Sequence, residues 1–229
     1  MSGDRGTTVE AAVRTSSLGV ISALCLIVTV VWLALLIYGI ALNGAVETRE
    51  QALDLVSERG VLFTLTYVNA TLVTLTATAL FAGLSVDLGS DASLWAAIGG
   101  VFVPVYSLLN LAVYLSQITI VPRLVALRPE SDLLLAQLVQ QWNGSAISML
   151  NNLGYAVLGI PSIIFGWLLA RRRSLPVTGV LLALNGVACI VGIIGIAAGS
   201  EVLSLGSLVG GVLFLAALVP LSARLLHGD

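Results

Sequence analysis

Charge is confined to a few short places in this chain, and that confinement decides what it can fold into. Residues 18–42, 61–86, 93–120, 146–170 and 177–199 contain no Asp, Glu, Lys or Arg, and 202–226 contains only Arg224, near its end. Each run is 23 to 28 residues long. A bilayer's hydrocarbon core is about 30 Å thick and takes about 20 helical residues to cross. A charge at its centre costs about 2.5–3.5 kcal/mol on insertion scales. Six such runs therefore predict an all-α integral membrane protein, a bundle of six transmembrane helices. Composition agrees: 58% of residues are hydrophobic and 10% charged, too few charges to cover a water-soluble surface. The expected organisation is a tail over 1–17, a membrane domain over 18–226 and a short end at 227–229.

Orientation follows from arginine, because the chain has no lysine. With the amino terminus cytoplasmic, Arg5, Arg14, Arg171, Arg172, Arg173 and Arg224 fall inside, and Arg49, Arg59, Arg123 and Arg128 outside. The undiluted 171–173 cluster pulls inward, so both termini are expected in the cytoplasm. The first run, at 25 residues, exceeds the roughly 7–15 of a secretory signal core and reads as a retained span. Absence of lysine fits GC-rich codon usage, which points to a bacterial or archaeal cell membrane.

Two outer connections have helical character. Ser131 and Asp132 are placed to cap a helix over 133–142, where Leu135, Leu138, Val139 and Trp142 recur at helical spacing. Gln137, Gln140 and Gln141 take the other side. The pattern suits a short interfacial helix before the fourth span, anchored by Trp142, or one that runs directly into that span. Over 45–60, Glu50, Asp54 and Glu58 recur every four residues. That arrangement reads as a solvated helical extension, with a divalent-cation or basic-partner site as the less favoured alternative.

Any function inside the bilayer must use uncharged polar groups. The second run carries Thr64, Tyr67, Thr71, Thr74 and Thr78 on one helical stripe, broadened by Thr66, Asn69 and Thr76. The third carries Tyr106, Asn110, Tyr114 and Gln117 on one face. The fourth offers Asn151, Asn152, Tyr155 and Ser162, and the fifth Asn185. Lipid cannot satisfy amides, so these groups should point into the bundle. They define a candidate polar cavity between spans 2, 3 and 4, lined by Tyr67, Asn69, Thr71, Tyr106, Asn110, Tyr114, Gln117, Asn151 and Tyr155. The plainer reading is favoured: hydrogen bonds between helices, and threonine hydroxyls bonded to the carbonyl one turn back. Gly99, Gly100 and Pro104 in the third run, and Gly159 and Pro161 in the fourth, could break helices beside such a cavity. Gly195, Gly199, Gly206 and Gly210 have the small-xxx-small spacing of close helix packing. They are expected to join spans five and six, with a homodimer interface as the lesser reading.

Missing residues exclude more than present ones suggest. Without lysine there is no retinal Schiff base and no phosphate-loop lysine. The single histidine, His227, sits at the chain's end, which removes bis-histidine haem and HExxH zinc chemistry. Cys25 and Cys189 form no CxxC pair. No span holds an acidic residue for intramembrane aspartyl proteolysis or a proton relay. Gly144–Ser145 offers a serine without a histidine to activate it. Asp87 and Asp91, in what reads as a short inner loop, make a poor lipid-transferase site; Ser90 and Asp91 better serve to start the third helix. Arg171–Arg173 could hold an anionic headgroup but serves first as the orientation signal. Net charge of −2 argues against nucleic-acid binding. The expectation is a non-enzymatic membrane protein with no metal or other cofactor, in contact with membrane lipids, that binds a partner protein, a second copy or lipid through its helical surface. The alternative is a facilitator or transporter of a small uncharged solute through the polar cavity.

Overall fold

The computed structural model describes residues 4–44, 46–58, 60–172 and 174–227, with side chains from residue 17 onward except at 90, 91, 93 and 227. Every regular element among them is helical: α1 (Asp4–Asn43), α2 (Arg49–Ser57), α3 (Val61–Val125), α4 (Asp132–Leu138), α5 (Ala146–Arg171), α6 (Pro176–Ala197), α7 (Glu201–Ser204) and α8 (Gly206–His227). Six stretches are long and apolar enough to cross a membrane: Ser17–Asn43, Val61–Gly89, Leu94–Val125, Ala146–Arg171, Pro176–Ala197 and Glu201–Leu226. They match the six expected spans, which are numbered in that order below.

Spans 2 and 3 both lie in α3, and the short loop expected between them is absent. The chain reverses at Ala92, the one residue with non-helical angles (φ −148°, ψ 58°) in α3. The Ser85 hydroxyl donates to the Ala96 carbonyl at 2.8 Å across this reversal. Further along, the Tyr67 and Tyr114 rings lie 6.2 Å apart, so the two halves run antiparallel. Asp87 is consequently a helical residue, and it pairs with Arg172 at 2.7 Å. The capping expected of Ser90 and Asp91 lies outside the described side chains, as does Arg173. Pro104 stays inside a continuous helix, as Pro161 does in α5.

The spans close into a ring. α1 packs on α3 and α8, α3 on α5, α5 on α6, and α6 on α8. All six contribute to one apolar core, including Cys25, Phe81, Val103, Phe165, Leu182 and Phe214. Phe81 of span 2 lies 5.8 Å from Phe165 of span 4 and 6.1 Å from Phe214 of span 6, centroid to centroid. These rings fill the half of the bundle toward the Arg172 end.

Close approach of backbones sets the tightest seam, between α5 and α6. A β-carbon on Gly179 would lie 2.2 Å from the Ala170 nitrogen and 2.5 Å from the Gly166 carbonyl oxygen. One on Gly186 would lie 2.3 Å from the Gly159 oxygen. Gly159 and Gly166, like Gly179 and Gly186, are seven apart, so each pair faces the other helix on one stripe. Asn185 donates to the Ser162 hydroxyl at 3.0 Å across the same seam.

The other glycines split into two roles. Gly195, Gly206 and Gly210 do pack spans 5 and 6 against each other: their β-carbons would meet Leu203, the Ala188 carbonyl and the Cys189 sulfur. Gly199 does not pack there, contrary to the expectation. It has φ +65° with nothing near it, and it ends α6. Ser200 N–H bonds the Gly195 carbonyl and Gly199 N–H the Ile196 carbonyl, the pairing of a left-handed helix C-terminus.

At the opposite end from Arg172, α2 and α4 form a small cap. Thr48 starts α2 and exchanges hydrogen bonds with Gln51, a reciprocal pair that satisfies two orphan donors. Ala52, Leu53 and Val56 of α2 then bury against Val121, Leu135, Ala136 and Val139. Glu50, Asp54 and Glu58 occupy the exposed side, and no group of three potential metal ligands occurs among the described residues. The helix expected over 133–142 is shorter, stopping at Leu138. Val139 is extended (ψ 110°), because Gln117 captures the backbone there: its amide donates to the Leu138 carbonyl at 2.7 Å and its oxygen accepts from Gln140 N–H at 3.3 Å. Ser131 does not cap α4 through its side chain; its hydroxyl donates to the Leu124 carbonyl instead.

Candidate functional site

Of the polar residues expected between spans 2, 3 and 4, the four tyrosines come together in the half of the bundle under the α2–α4 cap. Spans 2 and 3 bring tyrosines together because their polar stripes face the same antiparallel interface, and span 4 closes the third side. Tyr67, Tyr106 and Tyr114 are buried and Tyr155 is half-buried. Tyr114 and Tyr155 share a hydroxyl hydrogen bond of 2.6 Å. Tyr67 donates to Gln140 at 3.0 Å and meets Phe63 edge-on at 4.8 Å. The Tyr106 ring lies 6.4 Å from Tyr155. Four rings thus form one column through which hydroxyls, rather than charges, are presented.

The amides in this column fall into two groups. Gln117 is fully engaged in holding the end of α4, and Asn152 donates to the Ser148 carbonyl. Asn110 is completely buried, yet neither its nitrogen nor its oxygen has a hydrogen-bond partner. The Tyr106 hydroxyl sits beside the amide, close enough to interact with it, although the approach falls outside hydrogen-bond geometry. Asn151 and Asn69 each leave a buried oxygen without a partner. Gly154 is what admits the Asn110 side chain, since a β-carbon there would lie 2.1 Å from its oxygen. A buried polar group left unpaired costs about 1–3 kcal/mol, and lipid offers it nothing.

Most of the threonines on span 2 spend their hydroxyls on their own helix. Thr66, Thr71, Thr74 and Thr78 bond the carbonyl four residues back, and Thr76 bonds Leu72 and Val73. Thr64 is exposed on the outer surface of span 2, so the stripe of five does not point wholly inward. Thr71 accordingly serves its own helix. The polar groups left without a partner are therefore the Asn110 amide, next to Tyr106, and the Asn151 and Asn69 oxygens, all of them neutral.

Sequence reasoning missed three features. The Phe81–Phe165–Phe214 cluster joins residues from separate spans, and no local signal marks it. The Gly159, Gly166, Gly179 and Gly186 seam was visible as two seven-residue repeats. Arg128 holds Asp132 at 2.7 Å and also reaches Ser57 and the Leu53 carbonyl, tying α2 to the turn before α4. Pairing with Asp132 raises its guanidinium pKa above the ordinary arginine value.

Six apolar spans around one core define the class: a multi-pass helical membrane protein. Comparison with family models, curated proteins and solved structures finds no match to this chain.

Proposed function

We propose that this membrane protein binds one small uncharged solute, carrying both a donor and an acceptor, at the Asn110 amide between spans 2, 3 and 4. The observation that carries this reading is Asn110 itself, fully buried with both ends of its amide unbonded. A solute with a hydroxyl, amide or carbonyl would satisfy both ends at once, with the Asn151 oxygen and the tyrosine column as further contacts. Phe81, Phe165 and Phe214 pack against one another in the other half of the bundle.

A partner- or lipid-binding surface draws on the absence of catalytic residues and on the small-residue faces. Gly195, Gly206 and Gly210 are spent on contacts within the chain and Gly199 on ending α6, which removes the second of these grounds. A cytoplasmic location for both termini, in a bacterial or archaeal cell membrane, belongs to the same proposal.

Native mass spectrometry of the full chain, extracted with surrounding lipid by a polymer, tests the reading. Wild type should retain a stoichiometric small molecule through activation, and Asn110→Leu should lose it. A bare wild-type species, or equal retention by the variant, would overturn the assignment.

A further inference from the structure

At the arginine-bearing end of the bundle, spans 5 and 6 leave an open cleft of about 400 Å³ between Ser174, Leu175, Pro176, Thr178, Pro220 and Arg224, among other lining residues. Three independent features meet in it. The first is the amino terminus of α6, a 22-residue helix with proline in its first turn and no side-chain cap. Its first described bond closes from Gly179 N–H to the Leu175 carbonyl. The amides of Val177 and Thr178, ahead of that bond, are therefore the orphan donors at the positive end of the helix.

The second is Thr178. Its side chain is 1% exposed and its hydroxyl has no hydrogen-bond partner, although it lines the cleft. As the third residue of α6 it has no preceding helical turn whose carbonyl it could take, unlike Thr66, Thr71, Thr74 and Thr78 inside α3, so its hydroxyl stays free for a ligand. The third is Arg224, half-buried on α8, which forms no ion pair among the described residues. Its neighbours in sequence charge are committed elsewhere: Arg172 to Asp87, and Arg171 to the face of Trp167 at 3.7 Å.

Helix amides, a buried hydroxyl donor and a guanidinium around one opening are the donor set of a phosphate oxyanion. We infer that this cleft binds a tetrahedral phosphate anion, presented by an anionic phospholipid headgroup or as free inorganic phosphate. The Thr178 hydroxyl would then donate to a phosphate oxygen while Arg224 supplies the balancing charge. This site is separate from Asn110, and neither reading depends on the other.

The experiment uses the full chain in a neutral detergent, titrated by native mass spectrometry. The probes are dihexanoyl phosphatidylglycerol, dihexanoylglycerol and inorganic phosphate. Phosphatidylglycerol should form one-to-one adducts that dihexanoylglycerol does not. Arg224→Gln should weaken binding about tenfold, a loss of about 1.4 kcal/mol. Thr178→Val should weaken it as well, whereas Thr178→Ser and Arg171→Gln should bind as wild type does. Competition by inorganic phosphate at comparable concentration would assign the site to the free anion, and its failure to compete would assign the site to the headgroup. Equal binding of dihexanoylglycerol would overturn the inference, because the cleft would then be reading acyl chains. Wild-type affinity in both Arg224→Gln and Thr178→Val would overturn it too.

Discussion

Replacing Gly179 by alanine should unfasten the α5–α6 seam, and the structure gives the size of the effect. The new β-carbon would lie 2.2 Å from the Ala170 nitrogen, where ordinary contact begins at 3.4 Å. It would also lie 2.5 Å from the Gly166 oxygen and 2.6 Å from the Ala170 α-carbon. All three are backbone atoms, so no rotamer change relieves the overlap and the two helices must part by about an ångström. Overpacking of this kind costs about 1–3 kcal/mol. A gap of 0.5–1 Å also forfeits roughly a quarter to a half of each dispersion contact along the seam. In lipid that loss matters more, because no hydrophobic force draws the helices back together. The Asn185–Ser162 bond, 3.0 Å long, would stretch past useful range and remove about 0.6 kcal/mol more. The sum is about 2–4 kcal/mol. Gly211→Ala is the control, since nothing lies within 4 Å of its β-carbon position; it should be neutral or gain up to about 1 kcal/mol of helix propensity. Reversible unfolding in mixed micelles with rising SDS content, followed by circular dichroism, measures both. A Gly179→Ala protein within about 0.5 kcal/mol of wild type, a typical surface-substitution effect, would refute the packing argument.

Four further outcomes follow from the same geometry. Gly199→Ala should cost about 1 kcal/mol, because alanine must then adopt the left-handed conformation at the end of α6; Gly199→Asn should cost less, and the same unfolding assay compares them. Asn110→Leu should raise the midpoint of the ligand-free protein, since it deletes an unsatisfied buried amide, whereas a loss of stability would mark Asn110 as helix-to-helix glue. Asp87→Asn should cost less than about 1 kcal/mol, because both partners of its ion pair are about one-third exposed, and the loss should shrink further in high salt. Arg128→Gln should speed hydrogen exchange in α2 by releasing Ser57 and the Leu53 carbonyl. In the native protein that attachment should survive alkaline titration: the folded pKa is raised, so the contribution is fully present below the ordinary arginine pKa and is lost only as pH climbs past the raised value.

What lipid imposes was legible in the sequence, and what other helices impose was not. The six spans could be read because the bilayer demands a minimum apolar length, which 18–42 or 146–170 meets without reference to any neighbour. The face of the tyrosines and amides could be read too, because Tyr106, Asn110, Tyr114 and Gln117 share one side of a helix whatever they meet. The bonds they make could not be read. Val139 has the spacing to continue a helix, yet Gln117, twenty-two residues earlier, takes the carbonyl and amide beside it. Ser131 has the identity of a cap, yet its angles (φ −94°, ψ −1°) are not the extended ones a capping residue adopts. The β-carbon positions of Gly195, Gly206 and Gly210 meet the facing side of the span 5–span 6 hairpin. Gly199 matched the same spacing and does a different job, because spacing does not distinguish a packing glycine from a left-handed one. The Asp87–Arg172 pair joins residues 85 apart, and nothing local announces it.

The account turns on whether Asn110 has a partner in the working protein. A cryo-electron microscopy map of the full chain in lipid nanodiscs, at a resolution that shows ordered solutes, tests this directly. The account predicts non-protein density larger than a water within hydrogen-bonding distance of the Asn110 amide, absent in Asn110→Leu. An Asn110 side chain turned to bond Tyr106 or a backbone carbonyl, with no added density, would contradict it and leave the tyrosines and amides as the cement of a helical bundle.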